Sequence, residues 1–299
     1  MAPVLIDTNV LIYVFDHGDQ ARQDQAIRVL QHLQTTGNGR LSAQSLAEFC
    51  AVTTRKLKPL LKRLKLGQML NTLPERLALA RRDQLDHAAF LQILLADEVS
   101  RRDQRHLEIQ LQKVGFEDLC RLEDFDWTAG IKLDRKLLDA AFSLDFLSRN
   151  EHVILVGPVG VGKSFLAQAL GYAAVRAGSS ARFIRTDDFL RTLSQARIDH
   201  SLEKAFRSFL SPDLLILDDF GLQRMTPQQS TDMYELIIER HRRSSFVITS
   251  NRGVDEWLGL FDDPILGNSA LDRLANASYQ IVIEGTSYRE RLSPHRRRN

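Results

Sequence analysis

Cysteine is nearly absent from this sequence. Cys50 and Cys120 are the only two in 299 residues, and both fall in stretches that read as helical. A disulfide framework needs paired cysteines and a thiolate metal cluster needs three or four, so neither is expected, and a reducing compartment suits the chain. Long apolar runs are also missing. None reaches the roughly 18 residues of a membrane span. Met1–Phe15 is apolar but has no basic leader and carries Asp7, so it does not read as a secretory signal. Neither charge dominates: 40 Lys and Arg stand against 38 Asp and Glu, a formal net charge of +2, so position matters more than total. There is no internal repeat, and the one biased segment is the short tail Arg296-Arg-Arg298. A soluble cytoplasmic protein is expected. With 43% hydrophobic residues, a chain of this length has room for two domains with real cores.

The most informative stretch is Gly157-Pro158-Val159-Gly160-Val161-Gly162-Lys163-Ser164, which fits G-x-x-x-x-G-K-[ST] in full. His152–Val156 ahead of it reads as a short buried strand. Ser164–Ala177 behind it has helical spacing of Phe165, Leu166, Ala169, Leu170 and Ala173, with Gly178 at the stop. Glycines there let backbone N–H groups close around phosphates, and the helix dipole adds to the anion site. Gly157 to Phe165 are therefore the candidate nucleotide-binding residues. Lys163 would meet the β- and γ-phosphates of ATP, and the Ser164 hydroxyl would bind Mg²⁺.

The chain beyond the loop alternates strand and helix. Ala181–Arg185, Leu214–Asp219, Phe246–Ser250 and Tyr279–Ile283 read as strands. Asp187–Ala196, Leu202–Leu210 and Pro227–Arg243 read as helices. That alternation predicts an α/β fold, a parallel five-stranded sheet covered on both faces, with ligands at the carboxyl ends of its strands. Gly157, Asp218 and Asn251 all fall at such ends. Asp218 is the candidate second Mg²⁺ ligand, Asp219 the residue orienting the attacking water, and Asn251 a partner for that water or the γ-phosphate.

Ahead of the loop, residues 116–150 read as a linker closed by a helix over Leu133–Phe146. Phe125 and Trp127 are candidates for an apolar wall against adenine or for plain packing. Residues 60–115 read as all helix. Thr72-Leu-Pro74-Glu75 predicts one helix start and Asp86 a second, with Phe90, Leu91, Leu94 and Leu95 on one stripe. Lys and Arg crowd between Arg55 and Lys65, a solvated face or a phosphate-backbone contact. Residues 1–58 differ in character. Val4–Ile12 reads as a buried strand running through Asp7, Gln20–Gln34 as a helix, Arg40–Ser42 as a strand, and Leu46–Leu57 as an element carrying Glu48.

Two resemblances organise these readings. Residues 60–299 are similar to the IstB-like ATP-binding proteins, AAA+ helper ATPases of bacterial insertion sequences related to the helicase loader DnaC and the initiator DnaA. The likeness lies in Leu61–Gly67, Leu73–Arg76, Leu122–Asp126, Leu215–Asp219, Ile248–Asn251, Asp263–Leu266, Leu271–Leu274 and Ser287–Arg289. It implies an AAA+ P-loop ATPase over 151–299, preceded by a helical domain at 60–115 and the linker at 116–150. It also implies a homo-oligomer assembled on duplex DNA with ATP, directing a cognate transposase, and no membrane partner. Arg273 would complete a neighbouring subunit's site. Arg191, Arg197 and Lys204 lie in the region where related initiators contact DNA. Asp219 departs from the Glu that many AAA+ enzymes carry. The alternative partner is a replicative helicase, as for DnaC. Residues 1–58 resemble the first half of a PIN nuclease domain of the VapC kind, with Asp7 and Glu48 at that family's metal-binding positions. The second half of such a domain is missing, so metal-dependent ribonuclease activity is kept only as an alternative of another class.

Overall fold

The computed structural model describes residues 4–14, 18–37, 39–41 and 58–288. The chain falls into two compact units, Met1–Gln104 and Arg105–Asn299.

The second unit is built on alternating apolar strands. β3 (His152–Val156), β4 (Ala181–Arg185), β5 (Leu214–Phe220), β6 (Ser245–Ser250) and β7 (Ser278–Val282) form one sheet in the order β4-β5-β6-β3-β7. Every neighbouring pair is parallel. Successive side chains of a strand face opposite ways, so one sheet feeds two cores. Val153, Leu155, Ile216, Val247 and Ile281 face the helix Lys163–Arg176. Ile154, Leu215, Leu217 and Ile248 face the helices Thr186–Ile198, Leu202–Leu210, Pro227–Arg240 and Pro264–Ala275. Burial on both faces is why the interior strands β3 and β5 read as apolar runs at Val153–Val156 and Leu214–Leu217, while the edge strands β4 and β7 carry polar residues. The expected five-stranded parallel sheet is present.

Residues 116–150, expected as a linker, are part of this core. Phe116, Leu122, Phe125, Trp127, Ile131, Leu138 and Phe146 pack against the Lys163–Arg176 side of the sheet. The expected single helix over 133–146 is two, Arg135–Phe142 and Asp145–Ser148, because Leu144 adopts a left-handed conformation at φ 65 between them. Asp134 caps the first, accepting from the N–H groups of Lys136 and Leu137. Cys120 lies in irregular chain rather than in a helix. Cys50 lies outside the described residues.

In the first unit, β1 (Val4–Ile6) pairs in parallel with β2 (Gly39–Leu41). The expected strand over 4–12 ends at Ile6, and Thr8–Val14 is a helix. Among the described residues the ladder pairs Val4–Ile6 with Gly39–Leu41, and the Val10 N–H turns back to the Asp7 carbonyl at 3.1 Å. Val4 and Leu5 are exposed and only Ile6 is buried. The next helix runs Gln20–Thr36, capped by Asp19.

Residues 58–63 are helical, followed by helices Met69–Arg82 and His87–Val114. The expected cap at Thr72 is not there. The helix starts three residues earlier and takes Pro74 into its interior. Its first turn is closed by short-range bonds, Met69 N–H to Leu66 O and Asn71 N–H to Gln68 O, which need no N–H from Pro74. Asp86 does cap the long helix, accepting from Ala89 N–H at 2.7 Å. Of the expected stripe only Leu94 is fully buried; Leu91 and Leu95 are exposed. The buried face continues instead through Glu98, which Arg101 and Arg102 clamp at 2.8 and 2.7 Å. The Arg101 guanidinium holds the Glu98 carboxyl down at about 2, against its burial. Arg76 forks onto Asp97 at 2.6 and 3.0 Å and ties the two helices together.

Candidate functional site

The turn between β3 and the helix Lys163–Arg176 is shaped by close approaches. Gly160 and Gly162 sit at φ 83 and 91, conformations that favour glycine. A Cβ on Gly162 would meet the Phe125 ring at 2.7 Å, and one on Gly160 would meet Ser287 Oγ at 2.1 Å. The Tyr288 N–H also donates to Gly160 O at 2.8 Å. The loop is thus clamped between residues 125 and 287–288.

Lys163 is buried, and its Nζ donates to Pro158 O at 2.8 Å and to Asn251 Oδ1 at 2.6 Å. That bond brings the end of β6 onto the loop lysine. Asp218, at the end of β5, is buried. It accepts from Thr249 Oγ1 at 2.6 Å and from the Ser164 hydroxyl. Burial pushes the Asp218 carboxyl above its usual range, and those two hydrogen bonds oppose the shift. Asp219 follows at φ 56, in a bulge between Leu217 and Phe220. The left-handed region is one that Asp enters more readily than most residues.

Lys163, Ser164, Asp219 and Asn251 open on one cavity of about 580 Å³, lined by Val159–Phe165, Asp219, Leu222 and Asn251, with Phe125, Ile131 and Tyr288 on its walls; Asp218 lies behind it. That is the size of a ligand pocket. Phe125 packs on Phe165 with ring centroids 5.5 Å apart. Trp127 does not line the cavity and instead stacks under Arg135, 3.3 Å from guanidinium carbon to ring centroid. Gln168 Oε1 accepts from the N–H groups of Glu117 and Asp118 at 3.0 and 3.1 Å and so fixes another stretch of wall. Cys120 lines the same cavity, and burial pushes its thiol up to about 11, which keeps it protonated. The hydroxyl of Ser164 and the carboxylate of Asp218 are hard oxygen donors in contact with each other, a set that fits Mg²⁺.

The remaining sequence candidates lie elsewhere. Arg273 sits in the last turn of Pro264–Ala275, with its Nη1 on Ser269 O and Oγ at 2.6 and 2.7 Å, and is not among the residues lining the cavity. Arg197 forks onto Asp232, whose side chain is only 2% exposed, so it neutralises a buried carboxylate instead of standing ready for a phosphate. Arg191 pairs with Asp188 at 3.2 Å, and Lys204 is exposed. Asp7 is exposed and accepts from Asn9 at 3.3 Å. Glu48 lies outside the described residues. Among the described residues, no group of three or more His, Cys, Asp or Glu side chains is placed to hold a metal.

Comparison with known proteins agrees with this geometry. The model for IstB-like ATP binding protein matches residues 59–296. The chain belongs to the IstB-like ATP-binding family. A Mycobacterium tuberculosis protein named as an insertion-sequence ATP-binding protein is 43% identical over 241 residues, 80% of this chain and 96% of the relative. The IS21 ATP-binding protein of Pseudomonas aeruginosa is 35% identical over 234 residues, 78% of this chain and 88% of the relative. The chain also resembles the solved DnaC helicase loader (23% identity, TM-score 0.44, 49% of this chain and 86% of that one). It resembles DnaI as well (18% identity, TM-score 0.48, 55% and 91%). Those last two likenesses are too partial to carry a functional assignment. The cavity just described, with the Gly157–Ser164 loop on its wall, is the candidate site for the ATP that this family is named for binding.

The sequence reading missed Thr249, Gln168 and Tyr288. Thr249 and Tyr288 lie inside stretches that carry the family resemblance, Ile248–Asn251 and Ser287–Arg289. Gln168 shows no signal, because an interior helix glutamine looks the same whether or not it holds a distant turn.

Proposed function

We propose that this IstB-like ATPase oligomerises with ATP on duplex DNA and directs its cognate transposase to a target site. The observation carrying this reading is the convergence of Lys163, Ser164, Asp219 and Asn251 on one cavity, with the buried Asp218 behind them in contact with Ser164, in a chain whose relatives are named from insertion sequences. Lys163 neutralises the β- and γ-phosphates, and Asn251, already bonded to it, stands beside the γ end. Mg²⁺, held by Ser164 and Asp218, supplies charge neutralisation when bound. Asp219 orients the attacking water and takes its proton. Arg273 does not line its own chain's cavity, which supports a role in completing a neighbour's site. Bending duplex DNA costs several kcal/mol, which many backbone contacts repay. Lys204 and Arg191 are the candidates for such contacts that no buried carboxylate ties down. A DNA partner supports a cytoplasmic location for the protein.

The test is sedimentation of the protein with a non-hydrolysable ATP analogue and duplex DNA at low salt. A nucleotide-dependent oligomer on DNA is expected; a monomer that ignores DNA overturns the reading. Binding of a replicative helicase in place of a transposase would favour the loader alternative. For residues 1–58 the reading is a PIN-like remnant, supported by the parallel β1–β2 pair with Asp7 directly after β1. RNA cleavage with Mg²⁺ or Mn²⁺, abolished by Asp7→Ala, would establish the ribonuclease alternative.

A further inference from the structure

Two neighbouring residues of a regular strand point to opposite faces of the sheet. Asp218 and Asp219 are neighbours on β5, yet one contacts Ser164 and the other lines the cavity. The bulge makes this possible. Leu217 pairs with Ile248 and Phe220 with Ser250, so Asp218 and Asp219 together face a single residue of β6, Thr249. An extra residue leaves a ladder donor without its usual acceptor. Here the Asp219 N–H finds the Thr249 hydroxyl at 2.9 Å, and the same hydroxyl donates to Asp218 Oδ1 at 2.6 Å. Thr249 is fully buried. A hydroxyl has one proton to give. With Asp218 taking it and the Asp219 N–H occupying a lone pair, its orientation is set from both sides.

We propose that Thr249 is a positioning residue for ATP hydrolysis, one hydroxyl fixing both the rotation of the Asp218 carboxylate and the left-handed turn that brings Asp219 into the cavity. Thr249 itself does not line the cavity, so it acts through the two acids. The inference rests on ATP hydrolysis in this cavity, as the proposed function does, and its Mg²⁺-dependent affinity arm is read without DNA, oligomer or transposase.

The experiment compares wild type, Thr249→Val and Thr249→Ser. It measures kcat and KM for ATP, and the affinity for a fluorescent ATP analogue in EDTA and in Mg²⁺. Val keeps the shape and removes the hydroxyl. Losing a hydrogen bond to a charged group should lower kcat by about tenfold to a hundredfold. KM and the affinity in EDTA should stay within about twofold, because the loop itself is untouched, while the gain in affinity on adding Mg²⁺ shrinks by about tenfold. Thr249→Ser should recover kcat to within about threefold of wild type. Should Thr249→Val fail to fold, Thr249→Ser against Thr249→Ala gives the same comparison, since both lack the methyl group and differ by the hydroxyl. A Val variant turning over like wild type overturns the proposal. So does a Ser variant no better than Val or Ala, or an equal loss of affinity with and without Mg²⁺. A wild type that binds no nucleotide would instead remove the site assignment, and this proposal with it.

Discussion

Adding one methyl group at Gly162 probes how the cavity is built. The residue sits at φ 91 and ψ 18, so any Cβ costs about 1–2 kcal/mol in backbone strain. The new carbon would stand 2.7 Å from Phe125 Cε2 and 3.2 Å from its Cζ. Carbon pairs prefer about 3.5–4.0 Å, so the ring must retreat by about 1 Å. It has little room. Phe125 is buried between Trp127 and Phe165, with centroids at 4.5 and 5.5 Å, and overpacking of that kind costs about 1–3 kcal/mol. Together Gly162→Ala should weaken nucleotide binding by about 30-fold to several thousandfold. The assay is titration with a fluorescent ATP analogue, alongside thermal unfolding. Phe125→Ala in the same chain removes the collision but not the strain, so a double-mutant cycle should return a favourable coupling of about 1–3 kcal/mol. Wild-type affinity in Gly162→Ala, or no coupling in the cycle, would refute the reasoning.

Arg273→Ala should bind nucleotide normally and lose turnover by on the order of a thousandfold; steady-state ATPase assays check this, and unchanged turnover would contradict a shared site. Arg197→Gln should destabilise the fold by about 3 kcal/mol, because it strands the buried Asp232 carboxylate. Thermal unfolding without DNA reads this directly, and an unchanged melting point would return Arg197 to the list of DNA contacts. His152 is buried, its Nδ1 accepts from Phe246 N–H at 3.3 Å, and burial lowers its pKa from 6.5 to about 4. Between those values the unfolded chain binds a proton that the folded chain does not, so stability is full above pH 6.5 and falls towards pH 4. At about 1.4 kcal/mol per pH unit this amounts to about 3 kcal/mol. His152→Gln keeps an acceptor and should flatten that acid-side loss in denaturant titrations; parallel curves for both proteins would refute the assignment.

What the sequence made legible follows local rules. The phosphate loop, the strand ahead of it and the helix behind it are set by neighbours within a few residues. The strands over 153–156 and 214–217 announce themselves as apolar runs because both faces are buried. The errors arose where a distant partner decides. Val10-Leu-Ile12 has strand composition, but the chain turns into a helix at Thr8, with the Val10 N–H bonded back to the Asp7 carbonyl. Pro74 looked like a helix start, yet the turn before it closes without needing its N–H. Phe125 and Trp127 were one undivided candidate pair; the fold puts Phe125 on the cavity wall and Trp127 under Arg135. Residues 116–150 lack a strong period and so read as a linker, although their aromatic residues fill the core. Asp218, Asp219 and Asn251 were visible as strand ends. The Thr249 hydroxyl that joins the two acids depends on a bulge in β5 opposite β6, a register that no single segment encodes.

The most direct test is steady-state ATP hydrolysis by wild type and Lys163→Ala, each with and without duplex DNA. Turnover by the wild type that rises with DNA and disappears in Lys163→Ala is the predicted result. Turnover that survives the loss of Lys163, or a wild type that hydrolyses no ATP under either condition, would contradict the assignment of this cavity.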